Sequence, residues 1–156
     1  MVRLNLGCGN NVLIDWENYD LFPLNDKVKK INLNVLPLPF DDCSARYILL
    51  SHVFEHLDVN RLDFLHDIYR ILAPGGVVEI RVLSAKETIE HTKGFFISSY
   101  FDSICATNMD TPTYVGCVFS KLSFERIGRD NFSRLLDVFP FLEKMFPLLQ
   151  SCEFVW

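Results

Sequence analysis

The chain is 156 residues long, 49% apolar and 22% charged, which is the make-up of one globular domain with a sizeable core. Its net charge of −5 and isoelectric point near 5.3 argue against a sequence-independent grip on nucleic acid, which needs a basic face; recognition of RNA through a local patch stays open. Five scattered cysteines (Cys8, Cys43, Cys105, Cys117, Cys152) without a Cys-x-x-Cys pair disfavour a disulfide framework or a thiolate metal site and suit a reducing cytoplasm, and the longest uncharged run, Leu4 to Ile14, is too short for a membrane span.

The apolar run around Leu4 and Leu6 reads as a buried strand that stops at Gly7-Cys8-Gly9, where the backbone can turn tightly and come close to a ligand. Such a glycine pair also merely ends many strands, and the third glycine of a dinucleotide fingerprint is absent, position 12 being Val. Trp16 to Asp20 is a second strand ending in a carboxylate only eleven residues beyond Gly9, so the first crossover helix is short or missing. Val28 to Val35 is a third strand candidate. The prolines of Leu36-Pro37-Leu38-Pro39-Phe40 bar that stretch from a central strand, and Asp41 to Ser44 is a polar turn.

Tyr47 to Leu50 is continuously apolar, as a strand covered on both faces should be. A helix is predicted from an N-cap at Asp58 to Leu72, with Leu62, Leu65, Ile68, Tyr69 and Leu72 on the buried stripe and Arg61, Asp63, Asp67 and Arg70 outside it. Pro74-Gly75-Gly76 ends it and leads into a strand over Val77 to Leu83. Beyond that point the pattern loosens. Lys86 to Phe101 is mixed and Asn108 to Thr113 is a loop; Tyr114 to Phe119 and Leu122 to Ile127 suit strands, Asn131 to Leu149 suits two short helices cut by Pro140 and Pro147, and Glu153 to Trp156 is a closing strand. Alternating strands and helices favour a doubly wound, mostly parallel α/β sheet, whose ligands sit beyond the carboxyl ends of the strands. Gly7 to Gly9, Asp20, Asn32 and Ser51-His52 all fall at or near such ends.

Five stretches, in order, carry a family resemblance: Leu4-Asn5-Leu6-Gly7-Cys8-Gly9-Asn10, Asn18-Tyr19-Asp20, Leu38-Pro39-Phe40-Asp41-Asp42, Ser51-His52-Val53-Phe54-Glu55-His56-Leu57 and Tyr69-Arg70-Ile71-Leu72-Ala73-Pro74-Gly75-Gly76. Together they resemble the class I S-adenosylmethionine-dependent methyltransferases, in particular the compact type-11 group. The resemblance covers residues 1 to about 83 well and the remainder loosely. It implies a Rossmann-like sheet of seven strands with an antiparallel last strand, one domain over 1–156, a cofactor-binding half at 1–83 and a substrate-side half at 84–156.

The resemblance also implies S-adenosylmethionine as cofactor and names its contacts: Gly7, Cys8 and Gly9 under the methionine and ribose, Asp20 on the ribose hydroxyls with Leu21 beside it, Asn32 at the adenine amino group with Leu33, and Ser51, His52 and Glu55 towards the methionine end. A carboxylate suits the ribose because it has two acceptor oxygens and no donor, and an amide oxygen can accept from the adenine amino group. Read without the family, Asp20 is a solvated strand end and Asn32 a turn residue. Arg46, Ala73 and Leu83 depart from the residues usual in the group.

His52-x-x-Glu55-His56 places two imidazoles and a carboxylate on one face if helical, a pattern able to converge on a metal ion. The resemblance implies that some methyltransferases use a related set with a further His, here His91, whereas many others carry Glu-His at these positions in cofactor-side or packing roles; no metal is the favoured expectation. The inverted zinc-protease reading of the same letters leaves the glycine strand and the Pro-Gly-Gly turn unexplained. His91, in the substrate-side segment, and His52 are the candidate bases, since an imidazole titrates where a hydroxyl or amine acceptor must lose a proton. His66 reads as a surface residue of the helix. Phe95, Phe96, Phe101, Phe132, Phe139, Phe141 and Phe146 suit core packing or an apolar acceptor pocket. The expected activity is methyl transfer to an unidentified acceptor, a small molecule being favoured. The alternatives are a methyltransferase-like binding or partner protein without catalysis and, less favoured, a nicotinamide oxidoreductase.

Overall fold

The computed structural model describes residues 1–83, 119, 125–128 and 152–155. Its strands are β1 (Val2–Leu6), β2 (Glu17–Asp20), β3 (Val28–Lys30), β4 (Ala45–Ser51), β5 (Leu72–Leu83), β6 (Glu125–Gly128) and β7 (Cys152–Val155). They form one sheet in the order β3-β2-β1-β4-β5-β7-β6. The first five run parallel, and β7 lies antiparallel between β5 and β6. This is the Rossmann-like arrangement expected, with its reversed last strand. The order turns back between β1 and β4, and that switch point is where doubly wound sheets open a crevice for ligands.

Among the described residues one α-helix, α1 (Arg61–Ile71), joins β4 to β5. The links from β1 to β2, from β2 to β3 and from β3 to β4 contain none, as the short first spacing requires. Phe64, Leu65, Ile68 and Ile71 of α1 pack with Leu4, Leu6, Ile48, Leu50, Ile80 and Val82 from alternate positions of the sheet. Phe64 and Ile68 are fully buried.

The helix differs from its predicted form in three ways, each with a physical cause. Asn60, not Asp58, is the N-cap: its side chain accepts from the Leu62 and Asp63 amides, while the Asp58 amide donates to Asn34 Oδ1 at 2.7 Å. Tyr69 is half exposed and its ring meets Phe119 edge-on at 5.4 Å. Asp67, placed outside by periodicity, is buried because the Leu38 amide donates to its Oδ2 at 2.6 Å and Arg70 Nε donates to its Oδ1 at 2.7 Å. Arg70 also donates to the Leu38 and Phe40 carbonyls and to Asp42, which knits the proline-marked link before β4 to the helix. These partners raise the Arg70 pKa, Asp67 foremost.

The strand limits differ too. β3 stops at Lys30, five residues short of the predicted end. β4 extends to Ala45 and Ser51. β5 starts at Leu72 rather than Val77: Ala45 pairs with Leu72 and Tyr47 with Val77, so Pro74-Gly75-Gly76 forms a bulge inside the strand. Gly75 has φ +74, and a Cβ on Gly76 would meet the Ala73 carbonyl at 2.8 Å. The closing strand is Cys152–Val155, and residues 125–127 of the predicted Leu122–Ile127 strand lie in β6. The remaining expectations for the second half, including both short helices of 131–149 and the phenylalanine pocket, lie outside the described residues.

On the sheet face opposite α1 the strands present polar and aromatic groups. Tyr47 Oη donates to Glu79 Oε2 at 2.5 Å, and Arg81 pairs with the other oxygen of Glu79. Burial, then the Glu79 bond, push the Tyr47 phenol up to about 12. The Trp16 ring meets Tyr47 edge-on at 5.2 Å, and the Arg3 guanidinium lies over it at 5.9 Å.

Candidate cofactor site at the carboxyl ends of β1, β2 and β4

The chain leaves β1 through Gly7 at φ +70 and Gly9 at φ +50, a backbone region in which side chains are strained. Gly7 and Cys8 both donate their amides to the Tyr19 carbonyl, at 2.8 and 3.0 Å, so the bend is bound to the end of β2. The two glycines serve different ends. A Cβ on Gly7 would run into the methyl groups of Val53, whereas one on Gly9 would meet nothing within 4 Å. Gly7 therefore lets the β4 end pack against the bend, and Gly9 lies against open space.

Asp20 is the counterpart of the bend. Its Oδ2 accepts the Gly9 amide at 2.8 Å and its Oδ1 the Phe22 amide at 2.9 Å. Those two bonds fix the carboxylate plane and leave each oxygen further acceptor capacity. Leu21, 39% exposed, follows it. Cys8 is buried beside this group; burial and then the Asp20 charge raise its thiol pKa, so Cys8 stays protonated. One strand further out, Asn32 is exposed and its Oδ1 accepts the Asn34 amide at 3.0 Å in a local turn, while Leu33 is buried in the core.

At the end of β4, Ser51 is half-buried and His52 takes φ +55, its amide donating to the Arg81 carbonyl at 2.9 Å. The helix imagined for His52, Glu55 and His56 is a single 3-10 turn over Phe54–His56, with Glu55 buried and His56 exposed. His52 Nδ1 lies 3.6 Å from Glu55 Oε1. Among the described residues no three His, Cys, Asp or Glu side chains come together to hold a metal ion, and His91 lies outside them. The bend, Asp20 and the Ser51-His52 corner thus meet at the switch point. A groove of about 770 Å³ lies elsewhere, lined by residues such as Val12, Trp16, Asn18, Asn25 and Lys27, and by none of the predicted contacts.

Sequence reasoning assigned no role to Asn5 and Asn18. Both are buried, at 2% and 3% exposure, and they pair in register across β1 and β2. Asn5 Nδ2 donates to Asn18 Oδ1 and to the Asn11 carbonyl; Asn18 bonds the amide and carbonyl of Leu13 and the Trp16 carbonyl. The signal was present: an amide inside an otherwise apolar strand must find partners.

Residues 22–80 match the family described as Methyltransferase domain. No curated protein matches the chain. Among solved structures, the fold is similar to a SAM dependent methyltransferase from Archaeoglobus fulgidus, with a TM-score of 0.62 and 15% identity over 99% of this chain and 85% of that one. It is equally similar in fold to the [4+2]-cyclase SpnF (TM-score 0.62, 12% identity, 99% and 73% covered). A partial overlap, TM-score 0.40 at 21% identity, joins 51% of this chain to 44% of a chain in the complex of the Haloferax volcanii Trm112 methyltransferase activator and a putative methyltransferase, so this chain spans less than half of that protein. At such identities the structural likeness is one of fold, and the cyclase shows that one fold hosts different chemistry. The family match covers residues 22–80, and the structural likeness adds the Rossmann-like fold around them.

Proposed function

We propose that the protein binds S-adenosylmethionine at the carboxyl ends of β1, β2 and β4 and transfers its methyl group to a small-molecule acceptor. The observation that carries this is the Asp20 carboxylate, held by the Gly9 amide at 2.8 Å beside a glycine that faces open space. The residues suit the group: Asp20 has acceptor capacity for two ribose hydroxyls, and the bare bend admits a nucleoside against main chain. When bound, the sulfonium supplies an already activated methyl, so the protein's work is to orient donor and acceptor. His52, at the end of β4 with its Nδ1 3.6 Å from the buried Glu55, is one candidate to take the acceptor's proton; His91 is the other. The net charge of −5 supports an acceptor other than nucleic acid.

We read 1–83 as the cofactor half and 84–156 as the substrate half of one domain. No described helix is long and apolar enough to cross a membrane, and the free thiols of Cys8 and Cys43 suit a reducing compartment such as the cytoplasm. Calorimetric titration with S-adenosylhomocysteine tests the site. Saturable binding below about 1 mM is expected, weakened at least about tenfold in Asp20→Asn, where one acceptor oxygen becomes a donor. Absence of binding at millimolar concentration, or equal binding by Asp20→Asn, overturns the assignment.

A further inference from the structure

We propose that Asn5 and Asn18 are the positioning residues of this site, a pair of buried amides that holds the glycine bend against Asp20 in place of a crossover helix. The inference rests on the function proposed above. In a doubly wound sheet the segment after the first glycine turn becomes a helix whose apolar side packs on the strands and so holds the turn. Here residues 7–16 form no helix, yet the bend is tied closely to β2.

The ties are side-chain amides. Asn5 sits two residues before Gly7 and Asn18 two before Asp20, opposite each other in the same parallel ladder. Their side chains share the face away from α1, since residues two apart on a strand point the same way and Leu4 and Leu6 point towards it. Five hydrogen bonds of 2.8 to 3.0 Å join the two amides to each other and to the main chain at Asn11, Leu13 and Trp16. The loop is thereby bonded on the sheet immediately beyond Gly9, and the Gly9 amide that meets Asp20 cannot shift without breaking that set. Each amide acts through the loop it bonds.

The test separates positioning from simple stability. Asn5→Ala, Asn18→Ala and Asn18→Asp are titrated with S-adenosylhomocysteine beside Ile68→Ala, which weakens the fold from the α1 side. All are compared at a temperature where circular dichroism shows them folded. The alanine variants should bind about tenfold more weakly, the cost of losing about one hydrogen bond to the ligand, and should exchange the Gly9 amide hydrogen faster than wild type. Asn18→Asp keeps both acceptor bonds at Oδ1 and loses the two donated ones, so it should fall between, and it decides the matter if an alanine variant does not fold. Ile68→Ala should lower Tm with binding unchanged. Equal binding by the asparagine variants and wild type, or equal weakening in Ile68→Ala at a matched loss of Tm, overturns the proposal. If wild type itself binds nothing, the methyltransferase reading falls instead, while Gly9 exchange still reports whether the amides set the bend.

Discussion

Two crossovers in this protein make the same topological move by different physics. From β4 to β5 the chain passes through α1, whose Phe64, Leu65, Ile68 and Ile71 are buried against the sheet. From β1 to β2 it passes through a helix-free loop whose main chain is bonded to two buried amides. Apolar burial is non-directional and yields stability in proportion to area. Hydrogen bonds yield less net stability and far more geometry, because a buried polar group left without its partner is penalised. The crossover that flanks the proposed cofactor site is the one built from directional bonds.

That contrast can be broken at its strongest point first. Phe64→Ala should cost about 3–5 kcal/mol in chemical denaturation, the range for emptying a buried aromatic site, with S-adenosylhomocysteine affinity of the folded fraction unchanged. A loss of affinity as large as that in the Asn18 variants would mean that the two crossovers do not divide the work. Gly7→Ala should be next, at about 1–3 kcal/mol, because it sets a methyl group against Val53 at positive φ. Val53→Ala should return part of that loss, leaving the share due to the backbone; a double-mutant cycle with no coupling would show that Val53 is not what Gly7 accommodates.

The smallest effect concerns the face opposite α1. The Tyr47 phenol is raised from 10.0 to about 12, so it contributes stability below pH 10 that is lost as pH climbs from 10 towards 12. Tyr47→Phe should therefore show a flatter stability profile across that alkaline window, while losing the Glu79 bond at all lower pH. An unchanged slope in urea denaturation between pH 10 and 12 would count against it.

Much of this architecture was legible from single residues. The run Tyr47 to Leu50 announced a strand covered on both faces, and the eleven-residue gap from Gly9 to Asp20 left no room for a full helix. Gly7, Gly9, Asp20 and His52 were placed at strand ends, where they are found. What escaped depended on partners distant in sequence. Helical periodicity assigned Asp67 to solvent because it carries no knowledge that the Leu38 amide, 29 residues earlier, needs an acceptor. Asp58 and Asn60 are both good cap residues, and the cap falls to Asn60 while the Asp58 amide is bonded to Asn34, 24 residues earlier. The Pro-Gly-Gly stretch reads as a turn from composition, and only the pairing of Ala45 with Leu72 reveals a bulge. Asn5 and Asn18 were read as letters of motifs, whereas their role lies in facing each other.

Asp67 and Arg70 have one more consequence, for how order spreads through the molecule. The link before β4 is barred by its prolines from borrowing a neighbouring strand, so Leu38, Phe40 and Asp42 obtain their partners from a helix about 30 residues later. Neither piece is complete until the hairpin-like excursion through β4 has brought them together. Loosening and reforming of the two should occur as a single cooperative unit, and opening the helix would release the threshold of β4 with it.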